Sequence, residues 1–353
     1  MSGLPPNATI FLLGSGLSAL CAWILLCRRP GWGMDPADEP RKMHAVARPR
    51  IGGLALFVAW IAAGLVCGQP AVLWVGGSLL FALGFCDDLV RVNSYRKLQV
   101  QGLAALLTYA MGLRLESLPT LSGAPFELPW FLSLPLTLFW LVGWTNAMNL
   151  IDGIDGLATG LVMTGMAFLT GILPEGGLLA WGVAGAAAGF FGFNFPRARM
   201  FLGDGGAYLS GYLFAAFSLT AGQGRGVPFL ATVLCVPLLD TGYAFIRRIM
   251  RGHPVLRGDA EHIHHRLRAL GMKGPAVTTA LVGVTALSGW FAWRSVGSGG
   301  SGWPELLTVL GLGGSGIWWL AGRQSPGGVD QNNSARPTSS SVAGSETVSN
   351  SST

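Results

Sequence analysis

"NAMNLIDGIDGL", residues 146–157, lies between two apolar runs, 128–146 and 157–173. Two asparagines, two aspartates and two glycines fall within these dozen positions. Polar groups are costly in hydrocarbon, so the interruption marks a place where the chain has polar work to do. Asn146 and Asn149 are three apart and share a helix face. Asp152 and Asp155 continue that spacing, but Gly153 and Gly156 weaken the helix there. The reading is one membrane span ending near Asn149, a turn, and another span beginning near Asp155.

The rest of the chain fits this reading. Of 353 residues, 51% are hydrophobic and 11% charged, against about 25% charged in a soluble domain. This composition points to a polytopic membrane protein. Cys21, Cys27, Cys67, Cys86 and Cys235 lie in or beside apolar runs with no C-x-x-C pair. They read as small hydrophobes, without a disulfide framework or zinc knuckle. The first apolar run, Ile10 to Cys27, lacks a basic leader and is followed by Arg28 and Arg29, so it reads as a retained span.

A span needs about 20 mainly apolar residues. Eleven candidates emerge: 8–27, 51–68, 70–87, 98–115, 128–146, 157–173, 178–195, 205–222, 227–246, 275–293 and 303–321. The predicted fold is an all-α bundle of about eleven transmembrane helices over residues 1–322. Residues 323–353, rich in Ser, Thr and Asn, are expected to form a disordered tail. With the N-terminus outside, 20 of the 23 basic residues fall on the inner side, and only Arg114, Arg225 and Arg294 remain outside. Positive charge favours the cytoplasm, so the C-terminus is expected to be cytoplasmic.

This topology places each unusual polar cluster on the inner side. In "FCDDLVRVNSYRK", Asp87 and Asp88 close the third span at the negative pole of its helix dipole. Adjacent acids also raise each other's pKa. Compensation is expected from a metal, Arg91, Arg96 or Lys97. In "FNFPRARMFLGDGGAY", which includes Asn194 and Phe201, Asp204 sits between two glycines at the start of the eighth span. It is either an N-cap or a carboxylate for Mg²⁺ beside a helix end that receives phosphate. "RRIMRGHPVLRGDAEHIHHRLRALG" combines Arg247, Arg248, Arg251, Arg257, Arg266 and Arg268 with His262, His264 and His265. Phosphate binding suits it better than zinc, because no cysteine lies close. "RKMHAVARPRIGG" adds His44, Arg48 and Arg50 on the same side. Asp240 is either the partner of an inner-side arginine or structural. No P-loop and no dinucleotide-binding glycine pattern occurs, which excludes those two modes of holding a nucleotide.

In order, "DD", "NAMNLIDGIDGL", "FLGDGG" and "HIHHRL" resemble the motifs of the polyprenyl-phosphate N-acetylhexosamine-1-phosphate transferases, the glycosyltransferase 4 superfamily. The resemblance covers about residues 40 to 275 by motif. It implies transfer of a sugar-1-phosphate, GlcNAc-1-phosphate in the branch it most resembles, from a UDP-sugar to undecaprenyl or another polyprenyl phosphate. UMP is released, and the product starts a cell-envelope polysaccharide. It also implies Mg²⁺ or Mn²⁺ at the cytoplasmic face of the cell membrane, and no nucleic-acid partner. By the same resemblance Asp204 is the metal aspartate and Asn149 the amide beside the metal. Asp87 and Asp88 are the paired acids that deprotonate or position the lipid phosphate. Lys97 contacts phosphate, Phe201 lies near the nucleotide, and residues 262–265 belong to the loop that helps bind the sugar nucleotide. The expected catalytic residues are therefore Asp87, Asp88 and Asp204. Substrate is expected to meet Lys97, Asn146, Asn149, Asp152, Asp155, Asn194, Phe201, His262, His264, His265 and Arg266. Ala207 departs from the family, which usually has Ser there, and this removes a hydroxyl donor. Dimers occur among related enzymes. The peptidoglycan translocase type is the neighbouring alternative. A transporter is the rival class, although its key polar groups should sit near the bilayer midplane.

Overall fold

The computed structural model describes residues 4–28, 34–35, 48–252 and 262–322. The expectations for Arg29, Arg41, Lys42, His44, Arg257 and the 323–353 tail lie outside the described residues. Thirteen α-helices occur among the described residues. They are α1 (Pro6–Arg28), α2 (Gly53–Cys67), α3 (Ala71–Val90), α4 (Ser94–Ala110), α5 (Trp130–Ile151), α6 (Leu157–Leu169) and α7 (Leu178–Asn194), followed by α8 (Gly203–Thr220), α9 (Gly226–Val233), α10 (Cys235–Met250), α11 (Ile263–Ala269), α12 (Gly274–Gly297) and α13 (Trp303–Gly322). Two antiparallel strand pairs complete the fold: Met34–Asp35 with Arg48–Pro49, and Ser117–Pro119 with Pro125–Glu127.

The bundle is built around α8. Every residue from Gly203 to Ser218 is buried, and α2, α3, α5, α6 and α9 pack around it. Without a hydrophobic drive between helices in lipid, small residues at the interface let backbones approach and gain dispersion. A Cβ on Gly211 would lie 2.4 Å from the Trp144 carbonyl, and one on Gly53 would lie 2.3 Å from the Gly206 nitrogen. The Tyr212 hydroxyl donates to the Val72 carbonyl at 3.1 Å and lies 3.1 Å from the Thr108 hydroxyl, which ties α3 and α4 to the centre. A second seam of small residues joins α1 to α7. There, a Cβ on Gly185 or Gly189 would come within 2.1 Å of an α1 carbonyl.

The predicted break after Asn149 is present, displaced by two residues. α5 continues to Ile151, and α6 begins at Leu157 after a turn that ends on Gly156 at φ +77°. The count of eleven spans is not supported by length and composition. Among the described residues α1, α3, α5 and α12 are long and apolar enough to cross a membrane, and α9 with α10 makes a fifth if the bent pair is one span. α2, α6 and α7 are apolar but shorter. α8 falls short because it is enclosed by protein and so carries glycine, serine and Asp204 where a lipid-facing helix carries leucine. The ninth candidate is not straight either. It bends by 85° between α9 and α10, at Leu234, whose ψ of 40° leaves the helical region. Beyond the bend, α10 buries Asp240, Ala244 and Arg247 and exposes Phe245, Ile246, Ile249 and Met250.

Candidate functional site

Chain direction brings the polar clusters to one end of the bundle. α3 ends where α4 begins, α5 ends at the 152–156 turn, and α8 starts there. Two β-like exchanges hold the start of α8. Phe201 N–H donates to the Pro49 carbonyl at 2.9 Å, and Gly52 N–H donates to the Phe201 carbonyl at 2.9 Å. Gly203 adopts φ +75°, and a Cβ there would meet the Arg50 carbonyl at 2.3 Å and the Asp88 carboxylate at 2.6 Å. Only glycine fits that corner.

Asp88 reaches from the last turn of α3 to the first turn of α8. Its carboxylate accepts the N–H groups of Asp204 at 3.0 Å and Gly205 at 3.1 Å, and its side chain is 2% exposed. The anion-receptive helix end expected to hold a phosphate is thus occupied by Asp88. Asp204 does not cap its own helix; Asp88 supplies that service from another one. The carboxylate of Asp204 faces two cations instead, Arg50 Nη2 at 3.3 Å and Lys97 Nζ at 3.2 Å. Lys97 also bonds Asp87, whose other oxygen accepts the Val92 N–H. The compensation expected from Lys97 is present. Arg50 was missed as a partner, though the basic run before α2 signalled it; its Nε lies 3.7 Å from Asp88.

The 152–156 turn forms the opposite wall. Asp155 accepts the Ala198 N–H at 2.9 Å and lies 3.6 Å from Arg48. Asn194 is buried, and its side chain accepts from Gly156 N–H and the Thr159 hydroxyl while donating to the Met200 carbonyl. Asn146 exchanges amide bonds with Gln101, donating at 2.8 Å and accepting at 3.3 Å. These three side chains bond the protein's own backbone and neighbours, tying the turn to α4, α6 and the 196–202 segment. Asp152 is different. Burial raises its pKa well above the ordinary carboxylate value, Arg50 opposes that shift, and the charges of Asp204, Asp88 and Asp155 add to it. Asn149 makes no side-chain hydrogen bond among the described residues.

The histidine segment closes the site from a third direction. His264 is 1% exposed and packs on the same turn, since a Cβ on Gly153 would lie 2.3 Å from its Nε2. Its ring stacks with His262 at 5.7 Å and tilts against His265 at 4.3 Å. Among the described residues neither ring nitrogen of His264 has a hydrogen-bond partner. Burial, then the neighbouring His265, holds its pKa down to about 3, and His265 is lowered as well, mainly by burial. Arg266 is buried with its guanidinium 5.0 Å from the Tyr243 ring. Asp240 pairs with His262 at 2.8 Å rather than with an arginine. Phe201 carries the Arg48 guanidinium 5.9 Å over its ring.

Among the described residues no three or more His, Cys, Asp or Glu side chains stand in position to hold a metal ion. The donor chemistry nonetheless suits a hard cation. Asp87, Asp88, Asp155 and Asp204 lie against the cations Arg48, Arg50 and Lys97. Mg²⁺ takes one or two carboxylates and fills its shell with phosphate and water. Asp204, which faces the cations, and the unbonded amide of Asn149 fit that pattern.

The family model for glycosyl transferase family 4 matches residues 70–222. A probable undecaprenyl-phosphate N-acetylglucosaminyl 1-phosphate transferase of Bacillus subtilis is 37% identical over 254 residues, 67% of this chain and 70% of the relative. A decaprenyl-phosphate N-acetylglucosaminephosphotransferase of Mycolicibacterium smegmatis is 34% identical over 307 residues, 72% of this chain and 75% of the relative. A phospho-N-acetylmuramoyl-pentapeptide-transferase of Synechococcus is 31% identical over 316 residues, 81% of this chain and 92% of the relative.

Proposed function

The chain belongs to glycosyl transferase family 4, and we propose that it moves GlcNAc-1-phosphate from UDP-GlcNAc to undecaprenyl phosphate, releasing UMP. One observation carries the reading: Asp88, Asp204, Lys97 and the Gly153–His264 contact meet at one end of the bundle, around the first turn of α8. The names of the relatives in Bacillus and Mycolicibacterium support the acceptor and the sugar.

The acceptor phosphate is already a nucleophile, so no serine or cysteine is required. One of its oxygens attacks the β-phosphorus of the UDP-sugar. A new P–O bond forms as the bond to the bridging oxygen breaks, and UMP leaves with that electron pair. The protein's part is alignment and charge neutralisation. Lys97 and Arg50 supply fixed positive charge, and Asp88 fixes the first turn of α8 so that Asp204 is held between them. Asp204 and Asn149 would hold Mg²⁺ or Mn²⁺, which neutralises charge developing on the leaving phosphate. His264, neutral at working pH, offers one donor and one acceptor to the sugar nucleotide. An apolar cavity of about 390 Å³ between α5 and α10, walled by Phe139, Trp140 and Phe245 and reaching Asn146, suits a prenyl tail.

The excess of basic residues on one set of loops supports an N-terminus outside and a site facing the cytoplasm. The decisive assay measures UMP release by the purified protein with undecaprenyl phosphate and a panel of UDP-sugars, with and without Mg²⁺. Metal-dependent release with UDP-GlcNAc is expected. Release only with UDP-MurNAc-pentapeptide would move the chain to the peptidoglycan branch, and no release with any donor would overturn the reading.

A further inference from the structure

Asp240 stands outside the acid cluster. It lies in the second turn of α10 and is 4% exposed. Both of its oxygens serve one short segment: Oδ2 is 2.8 Å from His262 Nδ1, and Oδ1 accepts the Ile263 N–H at 2.7 Å. His262 is 5% exposed. A buried carboxylate with two bonds to one element fixes both its position and its rotation. The two contacts clamp the start of α11, so Asp240 governs where His264, His265 and Arg266 sit.

The pairing also chooses the tautomer. A carboxylate oxygen accepts, so Nδ1 of His262 carries the proton and Nε2 is left for a ligand. His264 stacks on His262 at 5.7 Å.

We infer that Asp240 is a positioning residue for the donor site: it clamps α11 and orients His262 so that Nε2 is presented to the phosphates of the sugar nucleotide. The kinetic part of this inference rests on the proposed transferase activity; the pairing itself does not. Asp240→Asn keeps the size and an acceptor for Ile263 N–H but loses the charge. In the full-length protein in detergent, its KM for UDP-GlcNAc should rise by about tenfold while kcat changes by less than about threefold. His262→Gln should raise KM similarly. The double variant should be no worse than either single one, within about twofold, because both changes cut one linkage. A merely structural aspartate would instead lower the unfolding temperature and leave KM in place.

A substrate-free measurement separates the two readings. In ¹⁵N-histidine spectra, assigned by difference with His262→Gln, the wild-type His262 should be protonated at Nδ1, and Asp240→Asn should shift the proton to Nε2. If wild-type protein releases no UMP, the proposed function fails and the spectrum still decides the pairing. If wild-type protein is active but Asp240→Asn leaves KM and the spectrum unchanged, this inference fails alone. Should Asp240→Asn not fold, His262→Gln decides: a rise of about tenfold in KM supports the inference and an unchanged KM overturns it.

Discussion

The first turn of α8 and the first turn of α11 face the same turn of chain with opposite electrostatics. At α8 the charges are matched: Asp204 meets Arg50 and Lys97, Asp87 meets Lys97, and Asp88 takes two backbone N–H groups. At α11 His264 is buried, and among the described residues both ring nitrogens are unbonded. Buried polar atoms are bonded in the great majority of cases, so an orphan imidazole needs an explanation. The difference suggests a division of roles. The α8 end is pre-organised to manage phosphate and metal charge, whereas the α11 end offers neutral hydrogen-bonding capacity that a ligand would complete.

The largest expected effect comes from removing charge at the matched end. Asp204→Asn should lower UMP release by at least about 10³-fold, since it removes the proposed metal ligand and the counter-charge of two cations. The protein should still insert and fold, as judged by yield and gel filtration. Near-normal turnover would break the comparison at its stronger side.

Asp88→Asn comes next and tests what the buried carboxylate is for. Asp88 is turned toward backbone N–H groups, which suits a clamp on α8. Its loss should cost most of the activity, about 10²-fold, and also about 1–2 kcal/mol of stability, the usual scale for losing a helix cap. Activity loss with an unchanged unfolding temperature would favour a direct chemical role instead.

Much of this was legible in the sequence because charge in an apolar chain is conspicuous. The break at 152–156 and the convergence of Asp88, Asp204 and His264 on one end of the bundle followed from spacing and side alone. What was hidden depends on packing between distant segments. Nothing in the spacing of Asp88 says that its carboxylate caps α8 from 116 residues away. Asn146, Asp155 and Asn194 look like ligand groups in a list of polar residues, yet their partners are Gln101, Ala198 and Met200. The bend at Leu234 lies three residues before Pro237, which has no N–H to offer the Val233 carbonyl one turn earlier. Length and composition do not support the count of eleven, because helices packed among others, such as α2, α6 and α7, are apolar but shorter than a lipid-facing span.

Gly153→Ala bears on the contact between the two ends. Gly153 lies in the turn between α5 and α6, where helix propensity does not bear on the change. Here the new Cβ would lie 2.3 Å from His264 Nε2, so the imidazole must retreat from the turn. Donor KM should rise by about tenfold with folding intact. An unchanged KM would mean that the contact has no part in donor binding.

The titration of His264 should give a smaller signature, in stability. Its folded pKa, about 3, lies below the ordinary 6.5. The unfolded chain therefore takes up a proton first as pH falls. The stabilising contribution is complete above about pH 6.5 and is lost progressively as pH falls toward the folded value, with a slope of at most about 1.4 kcal/mol per pH unit. Thermal unfolding between pH 7.5 and 5 should show a decline that is shallower in His264→Gln. Parallel curves would show that the imidazole is not the group held neutral.

The smallest effect should come from the far end of the molecule. Arg114 pairs with Glu116 at 2.9 Å beside the Ser117–Pro119 strand, with side chains 45% and 63% exposed. Its geometry is better than that of the Arg50 pairs, yet water screens it and two flexible side chains must be ordered to form it. Such pairs contribute about 0–1 kcal/mol. α4 begins at the candidate site and ends near Arg114, so the whole helix separates this charge from the acids. Arg114→Gln should leave UMP release within about twofold and stability within about 0.5 kcal/mol. A large loss of activity would mean that charge at the opposite end is coupled to transfer, and the contrast would then have to extend over the whole bundle rather than two helix ends.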